Sequence, residues 1–517
     1  MTSPTLQRLV PWLLFALTLG HSLHVWHYNF IADDTFISLR YAANLLAGHG
    51  LVFNPGERVE GFTSPLWTLL LAGLGFFGCG LLETARILGF LFSALTLLLT
   101  FWLARRCGAS PLMALVAPGV LACNGSFACW AAAGMETPLF AGLMVGALAS
   151  ALAGRYWTSA VLTAATALAR PEGLLVLLIL CAYQIYNSQR SKTQPWFTWI
   201  LTAAGPVILL VAGRLWYYQD FLPNTYYAKT GGGWMQILRG WDYVGDYAAD
   251  HEGLLLLLGV IAWAFCRRTT SLRLTAGTCL FCWFAVIWVG GDGLPMYRFA
   301  LSPLPLFAAL AAALVDDLYL RVRSWLASTP QISITIVAVL TTVWAYAHLS
   351  PPRLKSHYGS YQFQQRIEIP QWTRAGQWLA ENARPDASLA AVPIGALAYY
   401  SGLKTYDMLG LTDRHIAHRT ASHLGQGWAG HEKHDGQYIL RRQPTYLLLG
   451  NIDITARPRD PSKKPFIPYD NPHIWAREKD LFTTNLIFTR YQPRSVQLAP
   501  GEHLNFYELK QEFQPRP

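Results

Sequence analysis

Residues 30–67 read FIADDTFISLRYAANLLAGHGLVFNPGERVEGFTSPLW and follow an apolar run that begins LVPWLLFALTLG, just behind Arg8. A cleaved signal peptide would need a small-residue site after that run. His21, His24, Val25 and Trp26 stand there instead, so an uncleaved first span over residues 9–29 is expected. Two adjacent carboxylates, Asp33 and Asp34, are then met where the chain leaves the bilayer. Ionised groups at membrane depth are costly and need a partner or a function. The Gly-, Arg- and Glu-containing sequence behind them is too long for a simple hairpin.

Composition supports a membrane setting. The 517 residues are 53% hydrophobic and only 14% charged, against about 25% charged in ordinary soluble domains. Mean hydropathy is +0.25. The net charge of +10 has a simple origin in Lys and Arg retained on the cytoplasmic side of spans, so no nucleic-acid partner is expected. The cysteines, Cys79, Cys107, Cys123, Cys129, Cys181, Cys266, Cys279 and Cys282, form no CxxC pair set, which argues against zinc or redox chemistry.

Apolar runs predict about eleven spans, near 9–29, 84–103, 111–131, 136–153, 157–170, 172–187, 197–216, 251–266, 272–290, 299–318 and 331–349, by the rule of about twenty residues per crossing. The run SPLWTLLLAGLGFFGCG at 64–80 is decided by charge. If it does not cross, the loops with Arg105/Arg106, Arg155, Arg190/Lys192, Arg267/Arg268/Arg273 and Arg321/Arg323 share one side. It is therefore expected to be interfacial or re-entrant, with the N-terminus cytoplasmic. External loops are then expected at 30–83, 217–250 and 290–299, with the GMETP and ARPEG turns on the same side. No cytosolic domain remains to hold a nucleotide, so any chemistry faces outward.

Beyond about residue 350 the composition turns polar. The helical pattern WTRAGQWLAENA precedes strand-like SLAAVP, a short helix GALAYYSG and strand-like KTYDML, TYLLL, NLIFTRY and HLNFYEL. This alternation predicts a transmembrane part over 1–350 and a soluble α/β domain over 351–517. There is no internal repeat.

Several ionisable residues fall in the outward stretches. Asp33 or Asp34 suits a general base that takes a proton from an attacking hydroxyl, although a helix N-cap would account for one Asp. Glu136 in GMETP stands at a helix entrance. Arg298, Lys229 and Arg170 are placed to neutralise a phosphate, the arginines with a planar fork and Lys229 as a point charge; snorkelling is the competing account. Arg40, Glu60, Asn224, Tyr227, Asp292, Tyr297 and His431 occupy the same stretches and are candidates for substrate contact. Arg40 also suits a salt-bridge partner of Asp34, and His431, Glu432 and Lys433 suit a solvated loop. His21, His24 and His27 form one helical stripe, better explained by a wet helix end than by a metal. No metal or other cofactor is expected to be required; nothing supports a divalent cation.

The sequence resembles the GT-C glycosyltransferases, and within them the bacterial arabinofuranosyltransferase-like group. The resemblance is carried by DDTFISLRYAANLLAGHGLVFNPGERVEGFTSPLWTLLLA, AAGMETPLFAGL, ALARPEGLL, LPNTYYAKTGG, GGDGLPMYRF, YYSGLKTYDMLGLTDRHIA and GHEKHDGQYILRRQPTYLLL, in order through the chain. It implies a polytopic helical bundle with an outward cavity, a periplasmic or extracellular C-terminal cap and a place in the bacterial inner membrane. It further implies a polyprenyl-phosphate sugar as donor, arabinofuranose first among the sugars, and a cell-envelope glycan or glycoconjugate as acceptor. The superfamily's first-loop aspartate maps onto Asp33 or Asp34, and its second-loop acid onto Glu136, where several branches carry Asp. A transferase using a mannose- or aminoarabinose-type donor on protein, lipid A or O-antigen is the alternative. A transporter or flippase would place ionisable groups at mid-bilayer and show paired repeats, which this sequence lacks.

Overall fold

The computed structural model describes residues 4–191, 196–251, 253–267, 269–325, 355–421, 423–463, 466–467 and 478–514. The expected span at 331–349 and the expected domain boundary near 350 lie outside the described residues.

Helix α1 (Pro4–Tyr28) leads into α2 (Asp33–Leu46) and α3 (Pro65–Phe76) of the first loop, then α4 (Leu81–Arg106). The bundle continues through α5 (Val116–Cys123), α6 (Gly125–Ala132), α7 (Thr137–Leu152), α8 (Tyr156–Ala169), α9 (Gly173–Ser191) and α10 (Trp196–Tyr217). Two further helices, α11 (Asn224–Lys229) and α12 (Gly233–Asp250), precede α13 (Leu254–Cys266), α14 (Thr270–Val289) and α15 (Leu304–Trp325).

The count of eleven spans does not stand. Among the described residues four helices are long and apolar enough to cross a membrane: Gln7–Tyr28, Leu81–Arg106, Trp196–Tyr217 and Thr270–Val289. A fifth arises if Met113–Cys123 and Gly125–Ala132, bent by 61°, make one span. The break falls at Asn124, whose side chain caps α6 by accepting from the Phe127 amide at 2.8 Å. Helices α7, α8 and α13 have 16, 14 and 13 residues, short of the roughly 20 that a 30 Å hydrocarbon core requires. The apolarity of α7 is spent on packing, since it is buried along almost its whole length against α4 and α8. Helix α3, with 12 residues, is likewise too short to cross.

The C-terminal part builds a mixed sheet in the order β2-β1-β3-β6-β4, with β5 also paired to β6. Strands β1 (Ser388–Ala391), β2 (Lys404–Asp407) and β3 (Tyr446–Leu447) run parallel, while β4 (Ile454–Thr455), β5 (Tyr491–Ala499) and β6 (Glu502–Leu509) join antiparallel. The strand-like NLIFTRY is instead a short helix, Leu486–Arg490, and β5 starts only at Tyr491. One face of the sheet and the helix Ile369–Asn382 share a continuous apolar core with the first loop. Phe36, Trp67 and Leu71 pack there with Trp372, Leu389, Leu397 and Leu504. This joint seats the C-terminal domain on α2 and α3.

Candidate active site

Stretches far apart in sequence meet around one cavity of about 610 Å³. Its walls are Asp34, Ile37 and Ser38 of α2, residues 61–64, Met135 and Glu136, residues 170–172, the α11 segment with Lys229, the outer end of α14, and Asp292, Arg298 and Phe299. Leu411 and Ala429 of the C-terminal domain close it. The lining residues Leu174, Tyr226, Phe284 and Trp288 are also exposed, so the cavity reaches the surface between large, mostly apolar side chains.

The cavity also gathers charge. Arg298 binds Asp292 with Nε and Nη2 at 2.7 and 2.9 Å, and Nη1 lies 3.5 Å from Oδ2 of Asp34. Arg170 donates from Nε and Nη2 to Glu172 at 3.2 and 3.0 Å, and from Nη1 to Glu136 at 2.6 Å. Phe299 lies between the two guanidiniums, 4.9 Å from each, so the ring keeps like charges apart while its face attracts both. Four carboxylates therefore surround two arginines, and each arginine's fork is already held by a carboxylate. Lys229 lines the same cavity, half-buried, with no carboxylate within 4 Å among the described residues.

Backbone geometry sets Arg298 in place. Met296 and Tyr297 are both left-handed, with φ of 63° and 51°, an uncommon and costly conformation for side chains of that size. The turn is held by Trp130 Nε1 donating to the Met296 carbonyl at 3.0 Å and by the Tyr297 hydroxyl donating to Asp250 at 2.6 Å. Gly291, at φ 72°, leaves no room for a Cβ, which would lie 2.7 Å from the Tyr243 ring.

The two aspartates part ways. Asp34 faces the cavity. Asp33 points to the C-terminal domain, accepting from the Gly395 and Ala396 amides at 2.9 and 2.8 Å. Burial, reinforced by Asp34, raises its pKa to about 7 despite those two hydrogen bonds. Glu368 lies nearby, takes a hydrogen bond from Asn451 at 3.3 Å, and is likewise raised by burial to about 7.

Other candidates serve as braces outside the cavity. Arg40 donates to the carbonyls of Phe53, Ala398 and Leu403, not to Asp34. Glu60 pairs with Arg214. Asn224 donates to the Gly410 and Leu411 carbonyls at 2.8 and 3.0 Å. The Tyr227 ring stacks obliquely on His418 at 4.2 Å, and its carbonyl accepts from Lys433. Tyr297 holds the turn described above. His431 contacts the Ala429 carbonyl at 3.2 Å, beside the cavity roof. Glu432 ties the 425–427 backbone to Arg239. His21 and His24 meet Ser93 and the Ala122 carbonyl. Among the described residues no group of three or more His, Cys, Asp or Glu side chains is arranged to hold a metal ion. Glu172 was not singled out from the ARPEG phrase, although its place two residues beyond Arg170 was the available signal.

Residues 358–500 match a domain of unknown function, DUF8728. The terminal β-(1→2)-arabinofuranosyltransferase of Mycobacterium tuberculosis is 57% identical over 53 residues, 10% of this chain and 8% of that protein. Its Corynebacterium glutamicum counterpart is 60% identical over 42 residues, 8% and 6% of the two chains. The match thus spans less than a tenth of these relatives and is narrower than the chain-long resemblance expected from the motifs. Among solved structures, ArnT from Cupriavidus metallidurans bound to undecaprenyl phosphate aligns with TM-score 0.51 at 14% identity, over 76% of this chain and 85% of that one. The archaeal oligosaccharyltransferase AglB from Archaeoglobus fulgidus, in complex with an inhibitory peptide and a dolichol-phosphate, aligns with TM-score 0.54 at 11% identity, over 98% and 75%. The chain shares the polytopic α-helical fold of these two proteins and carries a C-terminal strand-containing domain.

Proposed function

We propose that this protein is a membrane glycosyltransferase that moves a sugar, arabinofuranose in our reading, from a polyprenyl-phosphate donor to a cell-envelope glycan or glycoconjugate on the periplasmic side. The observation that carries the reading is the cavity itself. An apolar mouth at Leu174, Phe284 and Trp288 leads to a wall bearing Asp34, Arg298 and Lys229. Such a mouth suits a donor whose lipid tail stays in the bilayer while its phosphate and sugar enter from the side. The two fold relatives carry undecaprenyl phosphate and dolichol-phosphate respectively, which supports the lipid-phosphate class. The short arabinofuranosyltransferase matches favour that sugar.

In this mechanism an acceptor hydroxyl attacks the anomeric carbon. Asp34 takes the hydroxyl proton, the new glycosidic bond forms, and the bond to the phosphate oxygen breaks. The leaving polyprenyl phosphate gains negative charge and is a good leaving group without protonation. It needs cations already in place, and Lys229 with the Nη1 edge of Arg298, the edge turned toward Asp34, supplies them. Asp292 and the Glu136–Arg170–Glu172 group hold the wall rigid and offer acceptors for sugar hydroxyls. The test is transfer of radiolabel from synthetic farnesyl-phosphoryl-arabinofuranose to an arabinofuranosyl oligosaccharide by the purified protein, with mannose and aminoarabinose donors in parallel. Transfer from the first donor is expected. Transfer from another donor alone would reassign the sugar, and no transfer from any by folded protein would overturn the enzyme reading.

A further inference from the structure

Helix α2 has two working faces. Asp34, Ile37 and Ser38, spaced i, i+3, i+4, line the cavity. Asp33, Phe36 and Arg40, spaced i, i+3, i+7, form a second stripe about 100° away. That stripe grips one short element of the C-terminal domain. Asp33 accepts from the Gly395 and Ala396 amides, at the start of the helix Ala396–Ser401. The Phe36 ring lies 5.7 and 5.6 Å from Tyr399 and Tyr400. Arg40 donates to the carbonyls of Ala398 and Leu403. The approach is too close for any side chain at Gly395, where a Cβ would overlap the Asp33 carbonyl oxygen and stand 2.5 Å from its Oδ1. Ala32 at the N-cap of α2 offers no side-chain hydrogen bond, and the first turn is held on its other side by the Thr35 hydroxyl, which donates to the Ala133 carbonyl at 2.6 Å.

We propose that Asp33 is a positioning residue, through which Gly395 and Ala396 of the C-terminal domain set the place of Asp34 in the cavity, so that sugar transfer depends on how that domain is docked. The proposal rests on the reading of Asp34 as the base. Neither Gly395 nor Ala396 lines the cavity, and Asp33 is the α2 side chain that both amides meet.

The experiment measures kcat and KM with farnesyl-phosphoryl-arabinofuranose for Asp33→Asn, Gly395→Ala, their double variant and Asp34→Asn, per folded molecule. Ala396→Pro is a second probe, because it deletes one of the two amides at the first position of a helix, where proline is tolerated. Asp33→Asn and Gly395→Ala should each lower kcat about 10- to 100-fold, with donor KM within twofold. The double variant should lose no more than the worse single one, since both break the same link. A purely structural role would lower yield and melting temperature and leave kcat per folded molecule intact, which would overturn the proposal. Multiplying effects, or a loss in Asp33→Asn with none in Gly395→Ala and Ala396→Pro, would overturn it too. Failure of the base reading is seen elsewhere, as near-normal turnover of Asp34→Asn.

Discussion

The Nη1 of Arg298 stands 3.5 Å from Oδ2 of Asp34, while Nε and Nη2 of the same guanidinium are both held by Asp292. One planar group thus fixes the floor of the cavity and reaches the acid proposed as base. Lysine in its place keeps the charge and loses the two-point grip. Arg298→Lys should raise donor KM and lower kcat together, because phosphate charge grows as the glycosidic bond breaks. Titration of farnesyl-phosphoryl-arabinofuranose checks this. Wild-type donor kinetics would move the phosphate site away from Arg298.

Asp34→Asn should leave expression and melting temperature near wild type and cost about 10²–10⁴ in kcat, the usual range for a general base. The contrast with Asp33 is sharp: Asp34 makes one long ion pair, whereas Asp33 accepts two backbone amides. Single-turnover measurements on Asp34→Asn, with donor binding measured separately, decide the matter. Turnover near wild type would remove Asp34 from the chemistry.

The paired acids are conspicuous in the sequence, and its charge pattern groups the loops containing Glu136, Arg170, Lys229, Asp292 and Arg298 on one side. These residues do line one cavity. What separates Asp33 from Asp34 was not legible, because its partners are backbone amides more than 360 positions away, which no side-chain motif records. Arg40 fails in the same way: its spacing from Asp34 invites an ion pair, but its donors go to carbonyls. The span count failed for a different reason. Length of an apolar run does not tell a buried helix such as α7 from one that faces lipid.

Arg170 sits between Glu136 and Glu172, all three withdrawn from solvent. Removing the cation leaves two carboxylates buried together. Arg170→Gln should destabilise the protein by about 3–5 kcal/mol, the usual cost of breaking a buried pair from one side. Adding Glu172→Gln to that variant should restore part of the loss, since it removes one stranded charge. Thermal unfolding in detergent checks both. A stable Arg170→Gln variant with raised donor KM would instead make Arg170 a phosphate ligand.

Glu368 carries a pH dependence whose sign follows from burial. Its pKa is raised from the ordinary 4.5 to about 7, so the folded state holds a proton that the unfolded chain has released. Stability therefore falls as pH rises from about 4.5 to about 7 and is level above that. Asp33, the charged neighbour that adds to the effect, moves in the same direction. Glu368→Gln keeps an acceptor for Asn451 and cannot ionise. It should stabilise the protein at pH 8 by about 1–3 kcal/mol, seen as a higher melting temperature, and have no effect at pH 4. Scanning fluorimetry at the two pH values checks it, and an equal shift at both would show that ionisation is not the cause.

Lys229 is the cation that the cavity leaves uncommitted. Its stem runs beside Gly430, where a Cβ would come within 3.1–3.5 Å of three of its methylene carbons, so the glycine makes the space in which the side chain lies. An ammonium on the cavity wall acts on a phosphate as a point charge, without the geometric demands of a fork. Lys229→Gln should raise donor KM about tenfold and lower kcat less than Arg298→Lys does. The wild-type KM should rise with ionic strength, and the variant's should do so less steeply, because one partly exposed charge has gone. Lys229→Arg should recover much of the affinity. Snorkelling toward solvent predicts no change in donor KM and no change in salt dependence, and that pair of results would remove Lys229 from the phosphate site.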